Sequence, residues 1–255
     1  MPPTRAEGDR VRWHDLECGG YAADLPLWRE LAAAASGPVL DVGAGTGRVA
    51  LELARAGHAV TALDHDGELL AALRERAVGL PVRAVTADAR AFALRERFAL
   101  CLAPMQIIQL LGGLAGRAAF LACARRHLRP GATLAATLAD AVESFDAAAA
   151  GALPPPDVAD HGGRTYSSQP VAVRRRGGVT EIHRVREIVA GGGQREAVDD
   201  VVSLDDLSVL ELEAEALDAG FRPLPRRRIP PSREHVGSTV VLLRAGPPRR
   251  PHPLT

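Results

Sequence analysis

Residues 39–48 read Val-Leu-Asp-Val-Gly-Ala-Gly-Thr-Gly-Arg. A short apolar run ends in an acid and three alternating glycines, and a helical pattern follows. The run has the character of a strand buried on both faces of a parallel sheet. The glycines permit a sharp turn and let the backbone approach a ligand with no Cβ in the way. A dinucleotide fingerprint needs G-x-G-x-x-G. Here the spacing is G-x-G-x-G, and Arg48 stands where the third glycine of that fingerprint would fall. A phosphate-gripping loop needs Gly-Lys-Ser/Thr, and the chain contains no lysine. An acid at Asp41 disfavours a diphosphate and favours a ligand carrying an ammonium group.

Strand and helix patterns alternate around this elbow. A helix is expected over 21–35, after a polar, loose stretch at 1–20. Strands are expected at 39–42, 58–63, 82–86, 98–103 and 132–138. Helices are expected at 46–56, 66–77 and, despite Gly112-Gly113, at 106–128, with a turn at Arg129-Pro130-Gly131. Such alternation predicts βαβ units with right-handed crossovers. It breaks at Asp140. Residues 141–163 are rich in Ala, Gly and Pro, and predict a flexible connection. Strands then follow at 164–175, 179–189 and 195–202, with glycine turns between them. A helix over 205–219, N-capped by Ser203, should bury Leu207, Leu210, Ala214 and Leu217. An edge strand over 221–229 and a last strand over 236–244 close the pattern.

The expected fold class is α/β: a doubly wound, seven-stranded, mostly parallel Rossmann-like sheet with an inserted antiparallel β-sheet. The predicted division is a core of 1–140 and 203–245, an insert of 141–202, and a disordered tail of 246–255.

Composition narrows the function classes. Hydrophobic residues make up 47% of the 255 residues but aromatics only 4%, so Ala, Leu and Val must fill the core. Lys+Arg and Asp+Glu balance at 31 each, which leaves no basic footprint for nucleic acid or a membrane surface. Cys18, Cys101 and Cys123 are too few and too scattered for a disulfide framework or zinc site. The opening residues have no apolar h-region, and the longest uncharged run, Phe98 to Gly116, is broken by Pro104, Gln106 and Gln109. A cytoplasmic location is expected, with no metal.

Asp-x-Gly-x-Gly-x-Gly at 41–47 closely resembles motif I of the class I S-adenosylmethionine-dependent methyltransferases. The resemblance covers roughly 36–140, and 203–245 in outline. It implies S-adenosyl-L-methionine as cofactor, cradled at Asp41, Gly43, Ala44, Gly45 and Gly47. It implies that Asp64, at the end of the second strand, accepts from the ribose hydroxyls, with His65 beside the adenine. It implies that Asp88 accepts from the adenine amine while the Ala89 N–H reaches a ring nitrogen. Tyr21 would close over the methionine end. Ala103 and Met105 belong to the loop that faces the transferred methyl, Ala103-Pro104-Met105-Gln106. DNA amino-methyltransferases carry Asp/Asn-Pro-Pro-Tyr/Phe there, and this chain does not. Gln106 and Gln109 are candidates for orienting a substrate.

No catalytic residue can be named from the sequence. His161, His183 and His235 are the histidines placed where they could serve a substrate pocket. His58 reads as structural, and His127 and His252 as surface residues. The runs Arg174–Arg176 and Arg226–Arg228 lack neighbouring stacking aromatics and read as solvated faces, not as a nucleic-acid track. The expected activity is methyl transfer to a nitrogen or oxygen of a small molecule, with a lean to nitrogen. The inserted sheet is expected to cover the substrate and to offer a homodimer surface, as in glycine N-methyltransferase-like and amino-sugar N,N-dimethyltransferase-like enzymes. The alternatives are an RNA or protein methyltransferase, and a catalytically silent cofactor-binding module.

Overall fold

The computed structural model describes residues 9–140, 144–147, 153–232 and 235–247. The chain divides into two compact units: residues up to Ala22 with Ala141–Asp206, and Ala23–Asp140 with the chain from Leu207 onward.

In the larger unit the strands are β1 (Val39–Val42), β2 (Val60–Asp64), β3 (Val82–Thr86), β4 (Phe98–Ala103) and β5 (Leu128–Ala139). In the smaller unit follow β6 (Phe145–Asp146), β7 (Asp157–His161), β8 (Arg164–Arg176), β9 (Val179–Ala190) and β10 (Arg195–Asp205). The larger unit is completed by β11 (Phe221–Pro223), β12 (Arg227–Ile229) and β13 (Ser238–Ala245). The helices are α1 (Arg10–His14), which runs into a π turn at Asp15–Gly19, then α2 (Leu25–Ala34), α3 (Arg48–Arg55), α4 (Gly67–Arg76), α5 (Gly113–His127) and α6 (Val209–Asp218).

The large sheet has the order β11-β13-β5-β4-β1-β2-β3, with β12 also paired to β13. Strands β1 to β5 pair in parallel, and β13 lies antiparallel to β5 with Val240 opposite Thr137. All four residues of β1 are buried, as a strand covered on both faces requires. The core combines Leu40, Val42, Phe98 and Leu134 of the sheet with Phe120 and Leu121 of α5, Leu212 of α6 and Val241 of β13.

Three local expectations need correction. The 106–128 helix is broken: a 3₁₀ turn at Ile107–Leu110 ends at Gly112 and Gly113, both at positive φ (83° and 76°), and α5 starts afresh. The last helix is capped by Ser208, not Ser203. Ser208 and Glu211 exchange side-chain to backbone bonds in a capping box. With that start, Leu212 and Ala216 are buried while Leu210 and Leu217 are exposed. Arg129-Pro130-Gly131 is not a free turn but an irregular stretch inside β5, where the register to β4 shifts between Phe98 and Leu100.

The smaller unit is an antiparallel sheet of order β10-β9-β8-β6, with β7 on β8. Residues 10–19, expected to be loose, are helical and pack on this sheet, outside the parallel core to which residues 1–140 were assigned. Trp13 meets Tyr166 edge-on at 5.3 Å, and Glu17 pairs with Arg186 at 2.7 Å. Tyr166 also donates its hydroxyl to Asp9 over 2.7 Å. The predicted disordered tail falls largely on 248–255, which lie outside the described residues, as do parts of the 141–163 connection.

Candidate functional site

The carboxyl ends of β1, β2 and β3 are stitched together by backbone groups. Gly43 and Ala44 both donate their N–H to the Leu63 carbonyl, at 2.8 and 3.1 Å. Gly45 donates to Asp64 Oδ2 at 2.8 Å, Asp66 N–H to Asp64 Oδ1 at 2.9 Å, and Ala87 N–H to the Asp64 carbonyl at 2.8 Å. The elbow thus grips the acid of the second strand, and that acid grips the third. In an open α/β sheet this edge is where ligands bind.

The elbow glycines are required by geometry. Gly43, Gly45 and Gly47 all have positive φ (69°, 52° and 100°). A Cβ on Gly47 would lie 2.1 Å from Leu73 Cδ1, and one on Gly43 would lie 2.1 Å from Ile107 Cδ1. Ile107 comes from the turn after β4, so the elbow and that loop touch. Met105, in the same loop, is the one non-glycine residue with positive φ (53°) among the described residues. A strained backbone at that position is held by its surroundings and is characteristic of functional loops. Ala103 is fully buried at the end of β4 and offers only main chain. Gln109 is buried, and its Oε1 accepts from Ala139 N–H at 3.1 Å, tethering the end of β5.

Asp41 is not at the open mouth of the elbow. It is 1% exposed inside β1, and neither oxygen has a hydrogen-bond partner of normal geometry among the described residues. Burial pushes its pKa up to about 7; the nearby Arg48 charge and Ala50 N–H pull the other way without prevailing. A buried carboxylate with open lone pairs is the complement of a cationic ligand group. Arg48, which stands where the dinucleotide fingerprint has glycine, forms a bidentate pair with Asp24, at 2.5 and 2.8 Å. Sequence alone missed Asp24, which lies 24 positions away and carries no local signal.

Asp88 is exposed, and Arg90 holds its carboxylate at 2.6 Å, which lowers its pKa to about 2. Ala89 is half-buried beside it. His65 is solvent-facing, with Nδ1 3.3 Å from Asp64 Oδ1. Tyr21 is buried in the smaller unit, its N–H donating to the Cys18 carbonyl. His161 is exposed at the end of β7, His183 lies 3.3 Å from Glu181 on β9, and His235 donates its N–H to Ser232 Oγ.

His127 is buried at the end of α5, not on the surface, because Leu94 N–H and the Cys123 carbonyl occupy its two ring nitrogens. His252 lies outside the described residues. The arginine runs meet carboxylates: Arg226 pairs with Glu213, Arg227 with Glu30, Arg228 with Asp140 and Arg174 with Asp146, at 2.6–2.8 Å. A cavity of about 400 Å³ lined by Leu31, Ser36, Leu100, Arg129 and Thr133 sits at the amino ends of β1, β4 and β5, the opposite edge of the sheet from the elbow. Among the described residues no helix is long and apolar enough to cross a membrane.

A family model described as a methyltransferase domain matches residues 39–131. No curated protein sequence matches the chain significantly. Solved structures similar to it include the CcbJ methyltransferase of Streptomyces caelestis, 22% identical over 94% of this chain and 97% of that one, with a TM-score of 0.68. CalS10, an amino pentose methyltransferase from Micromonospora echinaspora, is 23% identical over 91% and 96%, TM-score 0.68. The sugar N-methyltransferase KedS8 from a Streptoalloteichus species is 19% identical over 94% and 92%, TM-score 0.69. At these identities the likeness is one of fold. The matched segment begins at β1 and contains the elbow, Asp64, Asp88 and the loop after β4. The chain therefore carries a methyltransferase domain over residues 39–131 and shares the fold of solved methyltransferases.

Proposed function

We propose that this protein transfers a methyl group from S-adenosylmethionine to an amine nitrogen of a small molecule. The observation that carries the reading is the loop Ala103–Gln106, which has no acid or histidine and holds Met105 in a left-handed conformation. A free amine needs alignment and loss of one proton, whereas an alcohol needs a general base placed against it. CalS10 and KedS8, described as acting on an amino pentose and on a sugar nitrogen, support the same class of acceptor.

When bound, the cofactor supplies a sulfonium whose methyl is displaced in line by the acceptor. The residues of this chain supply position. The elbow backbone at Gly43–Gly47 cradles the cofactor and Asp41 faces its ammonium. Asp64 accepts from the ribose, and His65 lies beside the adenine that Asp88 and Ala89 read. Ala103 and Met105 line the methyl, and Tyr21 closes the methionine end. Alignment of this kind is worth about 7–11 kcal/mol of barrier. The inserted sheet of 141–202 selects the acceptor and serves as a homodimer surface, and the protein works in the cytoplasm.

The test is release of S-adenosylhomocysteine from purified protein given cofactor and a panel of amino sugars, other amines and phenols. Turnover with amines alone is expected. Turnover only with phenols, or only with RNA or protein, would replace the reading. Cofactor binding with no turnover on any acceptor would favour a silent binding module.

A further inference from the structure

The corner of the site formed by Asp88 and Ala89 lies between two anchors. On one side, Ala87 N–H donates to the Asp64 carbonyl at 2.8 Å. Asp88 then opens a tight turn whose carbonyl accepts from Ala91 N–H at 3.0 Å. The hydrogen bonds of the Asp88 side chain run to Arg90 in the same loop, so they move with it. The second anchor is α5. Phe92 stacks on the His127 ring at 4.5 Å, the Phe92 carbonyl accepts from the Cys123 thiol at 3.1 Å, and Leu94 N–H points at His127 Nε2 at 3.0 Å.

These contacts admit one form of the imidazole. Leu94 N–H can only donate, so Nε2 must be the unprotonated acceptor. Nδ1 lies 2.8 Å from the Cys123 carbonyl, which can only accept, so Nδ1 carries the proton. The other tautomer fails at both contacts, and the imidazolium fails at Leu94. The ring is buried, so a lost bond there is not replaced by water. The ionisable groups around it are the Cys123 thiol, kept protonated by burial, Arg126 against that thiol, and Asp88 with Arg90 on the loop. Arg95, Glu96 and Arg97 are exposed.

We propose that neutral, Nδ1-protonated His127 is a positioning residue for the Asp88–Ala89 corner, and thereby sets the affinity of the site for the adenine end of its cofactor. The inference rests on the reading of Asp88 and Ala89 as adenine contacts. It makes adenine recognition depend on a residue that touches no ligand.

The probe is 5′-methylthioadenosine, which has adenine and ribose but no ammonium, so Asp41 does not enter the measurement. Calorimetry on the full chain compares wild type, His127→Leu, His127→Gln and Asp88→Ala. His127→Leu removes the acceptor for Leu94 and should weaken binding about tenfold at about pH 7.5. His127→Gln places Oε1 near the position of Nε2 and should restore affinity to within about threefold. A wild-type affinity in His127→Leu, or a failure of His127→Gln to restore affinity, overturns the proposal. If His127→Leu does not fold, His127→Gln decides alone, and binding about tenfold or more below wild type in that variant overturns the proposal. If Asp88→Ala binds like wild type, the adenine reading fails and the proposal with it. If Asp88→Ala weakens binding and His127→Leu does not, only the role of His127 fails.

Discussion

The backbone N–H of Gly45 donates to Oδ2 of Asp64 across 2.8 Å, fixing the middle of the glycine elbow to the last residue of the second strand. The other oxygen of Asp64 accepts from Asp66 N–H at 2.9 Å. One carboxylate therefore shapes two turns at the carboxyl edge of the sheet.

Asp64→Ala leaves both N–H groups without their acceptor. The expected loss is about 1.5–3 kcal/mol of stability, with cofactor affinity at least about tenfold weaker. Thermal melts and calorimetry with S-adenosylmethionine measure the two effects separately. Unchanged affinity would remove Asp64 from the site.

Gly47 and Gly57 both have positive φ, but they differ in surroundings. A Cβ at Gly47 meets the buried Leu73, whereas one at Gly57 meets nothing within 4 Å. Gly47→Ala should cost about 2–5 kcal/mol, strain and overpacking together. Gly57→Ala should cost only about 1 kcal/mol, from backbone strain. Equal losses in denaturant titrations would show that the elbow relaxes freely.

Asp41 makes stability and binding respond to pH in opposite directions. Its carboxyl ordinarily titrates near 3.8 and is raised to about 7 in the fold. Between those values the folded chain binds more protons than the unfolded one, so this contribution is fully present below about pH 4 and is lost as pH rises to about 7. The span corresponds to about 4 kcal/mol as an upper bound. Asp41→Asn should therefore be more stable than wild type above about pH 7, with the difference shrinking in acid. If Asp41 faces the ammonium of S-adenosylmethionine as proposed, the ligand favours its ionised form, so wild-type affinity should rise with pH towards about 7 and that rise should vanish in the variant. Melts and calorimetry across pH test both signs.

Arg48 and Asp24 form a pair whose side chains are only 9% and 1% exposed. Arg48→Met alone leaves the Asp24 carboxylate buried without its cation, at an expected cost of about 3–5 kcal/mol. The double change Arg48→Met with Asp24→Leu should recover most of that loss, because the uncompensated charge is gone. A double-mutant cycle in urea measures it, and additive losses would mean that the two residues are not coupled.

The strand and helix order was legible where the signal is local. Val39–Val42, Val82–Thr86 and Phe98–Ala103 fold as strands over the residues their apolar runs mark. The last helix shows the limit of that signal. Leu207, Leu210, Ala214 and Leu217 share a face on paper, but the Ser208–Glu211 cap starts the helix later and the core accepts Leu212 and Ala216 instead. His127 shows it more sharply, since at the end of its helix it reads as a surface residue until Leu94, 33 positions away, is brought against the ring.

By itself the sequence determined the elbow, because alternating glycines after a buried strand leave the backbone few conformations. Tertiary structure alone decided which groups the carboxylates and His127 answer to, and that residues 10–19 pack on the inserted sheet. The physical reason is distance along the chain. Asp24–Arg48, Gly45–Asp64 and Leu94–His127 join residues 24, 19 and 33 positions apart, and no local preference encodes a partner that arrives only when the sheet closes.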